Sequence, residues 1–584
     1  MKTDPPAKHR VLRPLVAALV ITGCSSAVMS GNGSTASDAV PNVNLPIKYT
    51  PRPTSPAITP ADLMTRLYIF ADDSMLGRQV GFEGSLKGTQ YIADEARKIG
   101  LQPAGDNGTY FQDLPVYSRV LDQNSTITVG GTTLVAARDF VASGAPIQAT
   151  GGQVIYGGIE NDTLNILDPS VVAGKILVLS PSESNVSFRL LAASPAYQTY
   201  RTSIAGALTT ITLRGPQLSE AVTRSALQGT NVSLRTTTGA APTGRFGAFS
   251  ISATTSAGDV LFGAPIFSLK KGALGKTISM DIRQTEAPRP GRNVIAILPG
   301  SDPKLKNEYI AMGAHSDHNG YTHTPIEHDS LRAYLTVARP GGAETAAKTL
   351  SADDWTRINF LKDSLRSAHG GPRMDSVYNG ADDDGSGSVG LLEIAQAFAS
   401  APVKPKRSII FVWHTGEERG MWGSGYFTDH PTVPRDSIVT QLNIDMIGRG
   451  DAGDWVPNGG PSYLQLIGSK RLSTELGGIV EAVNSDTHAG FKFDYSFDTS
   501  GNPLQYYCRS DHWSYAKWGI PITFFSTGGH RDYHMLTDEP QYIDYNHFAR
   551  VAQLVHDVGM RVANLDHAVV VDKPKGDPTA RCRQ

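Results

Sequence analysis

From residue 292 onward, compact apolar runs alternate with amphipathic stretches. The runs at 309–314, 408–413, 439–444 and 522–525 are apolar at consecutive positions, as in strands buried on both faces of a largely parallel sheet. Leu391, Ile394, Ala395 and Phe398 follow the i, i+3, i+4, i+7 spacing of a helix packed on such a sheet, and 549–565 predicts a second amphipathic helix. Upstream, Thr59-Pro60 marks a helix start, and a helix over 86–99 stops at Gly100. Between 141 and 285 the pattern changes to alternating Val, Ile and Thr with few charges, predicting strands at 153–158, 174–179 and 207–212. The fold class is therefore α/β, a mostly parallel central sheet flanked by helices, with an inserted β-rich domain. Residues 320–378 interrupt the alternation as a mixed lobe with a helix near 352–367.

With 584 residues the chain is long enough for two or three domains, and 59 glycines with 36 prolines indicate many turns. The net charge of −2 and the lack of any Lys/Arg-rich run with interleaved aromatics leave no electrostatic footprint for nucleic acid. Lys2, Lys8, Arg10 and Arg13, the apolar stretch 15–21 and Thr22-Gly23-Cys24 form an export signal whose apolar run is too short to span a membrane. Ile21-Thr22-Gly23-Cys24 resembles a bacterial lipobox, which implies acylation of Cys24 as the mature N-terminus. It also implies a lipid-anchored protein at the periplasmic face of the outer membrane or the cell surface. Residues 25–58, rich in Ser, Pro, Thr, Asn and Gly, read as a flexible tether. Cys508 and Cys582 make no disulfide framework, and free thiols are the favoured reading.

Candidate chemistry gathers in five short segments: His315-Ser316-Asp317, Asp382-Asp383-Asp384-Gly385, Glu417-Glu418, Asp445-Met446 and Tyr533-His534. All but the second follow a predicted strand, where helix-covered sheets bind their ligands. Histidines and carboxylates are the donors zinc prefers, and a carboxylate can bridge two metals whereas an imidazole cannot. In His315-Ser316-Asp317 the strand period of two puts His315 and Asp317 on one side, so Asp317 can orient the imidazole. The acidic trio fails as an EF-hand: with Gly385 as the invariant glycine, Leu391 would be the last ligand. No lysine follows its glycines, so it does not cradle phosphate. His323, His328 and His369 read as surface histidines of the lobe.

The ordered set, together with 293–300, 379–387 and Arg509-Ser510-Asp511-His512, resembles the exported co-catalytic zinc aminopeptidases, the family of bacterial leucyl aminopeptidase, aminopeptidase Y and glutamate carboxypeptidase II. The region 141–285 resembles the protease-associated domain inserted in several exported peptidases. The resemblance implies two zinc ions, one held by His315 and Asp445, the other by Glu418 and His534, with Asp383 bridging. It implies Glu417 as general base, Asp317 as orienting partner and Tyr507 as oxyanion donor. The expected partition is a signal over 1–24, a tether over 25–58, a first peptidase segment over 59–140, the insert over 141–285, the catalytic domain over 286–570 and a tail over 571–584. The implied activity is release of N-terminal residues from peptides. The alternatives are a carboxypeptidase or dipeptidase of the same fold, with Arg509 or Arg449 on a substrate carboxylate, and, further off, a glutaminyl cyclase or a non-catalytic receptor-like protein.

Overall fold

The computed structural model describes residues 45–144, 146–181, 194–235, 250–450 and 460–584. The expected export signal, Cys24 and residues 25–44 of the expected tether lie outside these. Among the described residues no helix is long and apolar enough to cross a membrane.

Four parallel strands form the centre of the main sheet, in the order Ser408–His414, Tyr309–His315, Ile438–Ile444 and Ile522–Ser526. Arg292–Leu298 pairs antiparallel on one side and Tyr463–Ile467 antiparallel on the other. All four predicted strands are present, each within one residue of its expected bounds at either end. Their consecutive apolar character reflects two cores, one on each face. Ile310, Met312 and Ala314 join Ile409, Phe411 and Trp413 beneath the helices Pro60–Phe70, Gly387–Ser400 and Tyr545–Ala563. Ala311, Ile410 and Val412 face the opposite core with Phe427, Tyr515 and Phe524. Alternate residues thus enter different cores, the period-two rule applied to a sheet with no wet face.

The first helix starts as read, and the second ends as read but begins at Glu83, three residues before its expected start. Thr59 accepts a hydrogen bond from the Asp62 amide as N-cap of Pro60–Phe70. The helix Glu83–Ile99 ends on Gly100, whose φ of 88° is the left-handed conformation a C-terminal glycine supplies. The tether, by contrast, ends sooner than expected. Leu45, Tyr49 and Ile58 pack on the main core, and the Ser55 amide and hydroxyl both donate to Asp62 Oδ2.

The insert starts earlier than 141. Thr126–Val129, Thr132–Val135 and Phe140–Ser143 belong to its eight-stranded sheet, pairing with Leu274–Ile282, with each other and with Ser250–Ala253. Their short alternating pattern hides one buried face (Ile127, Val129, Leu134) behind exposed threonines. A separate three-stranded sheet, Val116–Leu121 with Val232–Leu234 and Gln284–Pro288, lies at the junction with the part built on the main sheet.

The lobe consists of a two-stranded ribbon, Tyr321–Glu327 with Met374–Val377, and the helices His328–Ala338 and Ala352–His369. Charge pairs fasten it to the part built on the main sheet: Arg332 to Asp532, Arg373 to Glu539 and Glu344 to Arg509.

Cys508 and Cys582 form a disulfide, correcting the reading as free thiols. Their 74-residue separation gave no sequence signal, because the pairing depends on the tail folding back. The tail is docked: Gln584 accepts at its backbone carbonyl from the Gly501 amide and at Oε1 from the Tyr507 amide. Cross-linking a loop of that length typically stabilises by about 2–4 kcal/mol. Cys582→Ser should therefore melt lower than the parent, and added reductant should bring the parent down to the mutant's Tm. Coincident melts without reductant would show that the bridge contributes nothing.

Candidate metal centre

Each strand of the parallel core delivers one part of the site at its carboxyl end. Tyr309–His315 ends on His315, Ser408–His414 leads through left-handed Gly416 into Glu417 and Glu418, Ile438–Ile444 leads to Asp445, and Ile522–Ser526 leads to the loop carrying His534. The acidic trio arrives separately, in the turn Ala381–Ser386 ahead of the helix Gly387–Ser400. Gly380 opens that turn at φ 54°; a Cβ there would stand 2.4 Å from the Asp383 carbonyl oxygen and 2.5 Å from the His318 ring.

The expected ligands converge. His315 Nε2 lies 3.2 Å from Asp383 Oδ1 and 3.7 Å from Asp445 Oδ1. His534 Nε2 lies 3.0 Å from both Asp383 Oδ2 and Glu418 Oε2. Asp383 thus stands between two groups, one oxygen towards each. His318, which sequence reasoning passed over, joins the second: its Nδ1 is 2.7 Å from Glu418 Oε1 and 3.8 Å from Asp383 Oδ2. Strand alternation would turn His318 away from His315, but the strand has ended and the chain bends. The only signal was a second histidine three residues after the first.

The donor set fits a metal. His315 Nε2, both His318 ring nitrogens and Asp383 Oδ2 are buried yet have no hydrogen-bond partner. Buried polar atoms left in that state are costly unless a cation sits among them. His315, Asp383 and Asp445 form one group that could hold an ion, and His318, Asp383 and Glu418 a second.

Surrounding bonds fix the ligands. The two outer members of the trio are structural. Asp384 accepts from the backbone amides of His315, Met446 and Gly387, tying three segments together. Asp382 accepts from the Gly448 amide and the Ser386 hydroxyl, and Asp538 accepts from the amides of Asp382 and Asp383. Ser510 donates to Asp445 Oδ2 at 2.7 Å, a role its motif did not reveal. Asp317 lies beside both His315 and Glu417. His315 Nδ1 is 3.1 Å from its backbone carbonyl, while its carboxylate accepts from the Glu417 amide at 3.1 Å.

Burial raises the Glu417 carboxyl well above its usual range; His315 opposes this, while Glu418, Asp445 and Asp511 add to it. Burial likewise favours protonation of Asp383, but His315, His534 and His318 prevail and hold it well below. Neighbouring carboxylates in one crevice are therefore pushed apart in proton affinity.

Tyr507 stands outside the convergence, correcting its expected place. Its ring lies against Trp513 and His512 with the Arg471 guanidinium 4.3 Å above, and the charges near its hydroxyl are Arg471 and Asp498. The tight turn Tyr506–Cys508 sends adjacent rings different ways. Tyr506 takes the other side, donating to Glu344 Oε1 at 3.2 Å.

His328 is also corrected: it is fully buried, not a surface histidine. Its Nε2 is 3.2 Å from Glu539 Oε2, and Asp375 completes a third group of possible ligands. Arg373 donates to both Glu539 oxygens at 2.9 and 2.6 Å, so this cluster is an ion-paired dock for the lobe. His323 and His369 are exposed, as read.

Residues 293–559 match the model of Peptidase family M28. Leupeptin-inactivating enzyme 1 of Streptomyces exfoliatus is 29% identical over 204 residues, covering 33% of this chain and 40% of that protein. A probable leucine aminopeptidase of Trichophyton verrucosum (strain HKI 0517) is 31% identical over 203 residues, covering 34% of this chain and 48% of its own length. The chain spans less than half the length of these curated relatives. A solved structure of BSAP, a zinc aminopeptidase from Bacillus subtilis, aligns over 88% of this chain and 95% of its own with TM-score 0.45 and 15% identity.

In the dock, burial and then Glu539 raise the Asp375 carboxyl to about 6. A folded value above the unfolded one favours folding below about pH 4, and that contribution is lost as pH rises through about 6. Asp375→Asn keeps an acceptor for the Val377 amide. Above pH 6 it should be more stable than the parent by on the order of 1–2 kcal/mol, and below pH 4 level with it. Thermal melts between pH 4 and 8 check this; a gap independent of pH would refute it.

Proposed function

We propose, from the match of residues 293–559 to the model of Peptidase family M28, that the protein is a zinc-dependent aminopeptidase with two metal positions sharing Asp383. The observation that carries this is the convergence of His315, His318, Asp383, Glu418, Asp445 and His534, in which His315 Nε2, both His318 ring nitrogens and Asp383 Oδ2 are buried without a hydrogen bond. His315 and Asp445 would hold one ion, and Glu418 and His534, with His318 beside them, the other. Zinc held there supplies Lewis acidity, polarising a peptide carbonyl and making a water acidic enough to ionise near neutral pH.

The chain's own residues do the remaining work. Glu417, anchored through its amide to Asp317, takes the proton of the attacking water and returns one to the leaving amine. Its raised proton affinity suits a group that must hold that proton between the two steps. Asp317 couples this base to His315, so base and ligand share one support.

Two placements favour attack at the N-terminal end of a substrate over the carboxypeptidase alternative. Arg509 is paired with Glu344 and lies 4.7 Å over the Tyr506 ring. Arg449 is paired with Asp532 and Asp538. Both guanidinium groups already face carboxylates of the protein, so neither presents an open receptor for a substrate's C-terminus. Export, acylation at Cys24 and a protease-associated character of the insert belong to the same proposal.

The test uses zinc-loaded protein lacking residues 1–24 and a pool of peptides, each free and N-acetylated, read by mass spectrometry. Single N-terminal residues should be lost from the free peptides only. Glu417→Gln should retain its metal and lose roughly 10²–10⁴-fold in turnover. Trimming from the C-terminus regardless of acetylation would overturn the aminopeptidase reading; wild-type rates in Glu417→Gln would overturn the base.

A further inference from the structure

Arg78 lies outside the segment matching the family and is completely buried. It bonds only to backbone carbonyls. Nε donates to Ser316 O at 3.1 Å, Nη1 to Phe70 O at 2.9 Å and to Asn379 O at 2.6 Å, and Nη2 to Gly380 O at 2.9 Å. Ser316 lies between His315 and His318, while Asn379 and Gly380 lead directly into the acidic trio. One guanidinium thus spans the two loops that carry the shared carboxylate and two of its histidine partners, His315 and His318.

The segment bearing Arg78 is shaped for that task. Leu76, Gly77 and Arg78 are consecutively left-handed, at φ 53°, 62° and 48°. A Cβ on Gly77 would stand 2.0 Å from Gly320 O, so only glycine permits the approach. The Gly320 amide donates to Gly77 O at 2.9 Å, continuing the seam just past His318. From the other loop, Asn379 Nδ2 donates to Ala71 O and Asp73 Oδ1.

Among the described residues no carboxylate pairs directly with this guanidinium, although Asp317, Asp538, Asp383 and Asp384 surround it. Burial lowers its proton affinity to about 10 against their pull, so it remains a cation at neutral pH. A planar fork with five donors can serve four carbonyls on three segments, whereas an ammonium offers three donors from one point.

We propose that Arg78 is a positioning residue for the metal centre: its fork sets the spacing between the His315–His318 loop and the Asp383 turn, and so how tightly the centre holds metal. This rests on reading the centre as a metal site. Arg78→Lys separates geometry from charge, keeping the cation and losing the fork. The control is Arg66→Lys, another buried guanidinium of the N-terminal part, paired with Glu393 and Glu95 and touching neither loop.

In the whole protein, zinc affinity is measured by chelator competition, folding by circular dichroism, and kcat and KM at saturating zinc. Arg78→Lys should bind zinc roughly 10–100-fold more weakly, with kcat lowered and KM little changed. Asn379→Ala, loosening the same seam, should shift affinity in the same direction, and decides the matter if Arg78→Lys does not fold. Arg66→Lys should lower Tm and leave zinc affinity within about twofold, far short of the 10–100-fold expected of a positioning role. Unchanged zinc affinity in Arg78→Lys, or an equal loss in Arg66→Lys, would overturn the proposal. A wild-type protein that binds no zinc would instead overturn the metal-centre reading beneath it.

Discussion

Mutual repulsion of buried carboxylates is the constraint around which the metal centre is arranged. Asp317, Asp382, Asp383, Asp384, Asp445 and Asp538 are all buried where the parallel strands end. Ionised together without compensation, they would make the folded state untenable. The structure distributes the problem. Backbone amides donate hydrogen bonds to Asp384 and Asp538, His530 lies against Asp382, and Arg78 and Arg449 supply fixed positive charge nearby. The acids that amides and arginines leave over are the ones facing the histidines.

The sheet was legible because its strands are buried on both faces and their apolar runs are continuous. The ligands at their ends were legible because an acid or imidazole after such a run is expensive without a purpose. Helix caps at Thr59 and Gly100 were readable from local chemistry alone. What escaped notice depended on contacts distant in sequence. His318 becomes a candidate ligand only once the chain bends after the strand. The direction of Tyr507 is set by Arg471 and Trp513, which no local pattern announces. His328 looked like a loop histidine because Glu539, its partner, lies far along the chain. The early start of the insert escaped because threonine-rich strands with one exposed face resemble loops.

The lobe and the N-terminal part approach the centre from different directions. The lobe grips the segment around His534 through Asp532 and Glu539, the latter next to the Asp538 that supports the acidic turn. The N-terminal part reaches beneath the two other loops through residues 70–78. The segment matching the family therefore supplies the donor atoms, while regions outside or interrupting its strand pattern hold those atoms in register.

The order of the ligands along the chain has a consequence for timing. His315 ends an early strand of the catalytic part, whereas His534 arrives only after the last strand has been laid against the sheet. Contacts of such wide separation close late in folding, because loop-closure entropy must be overcome first. A partly folded chain can own most of the donors and still lack the geometry to use them. Geometry able to hold a metal at this centre thus comes only with the finished fold.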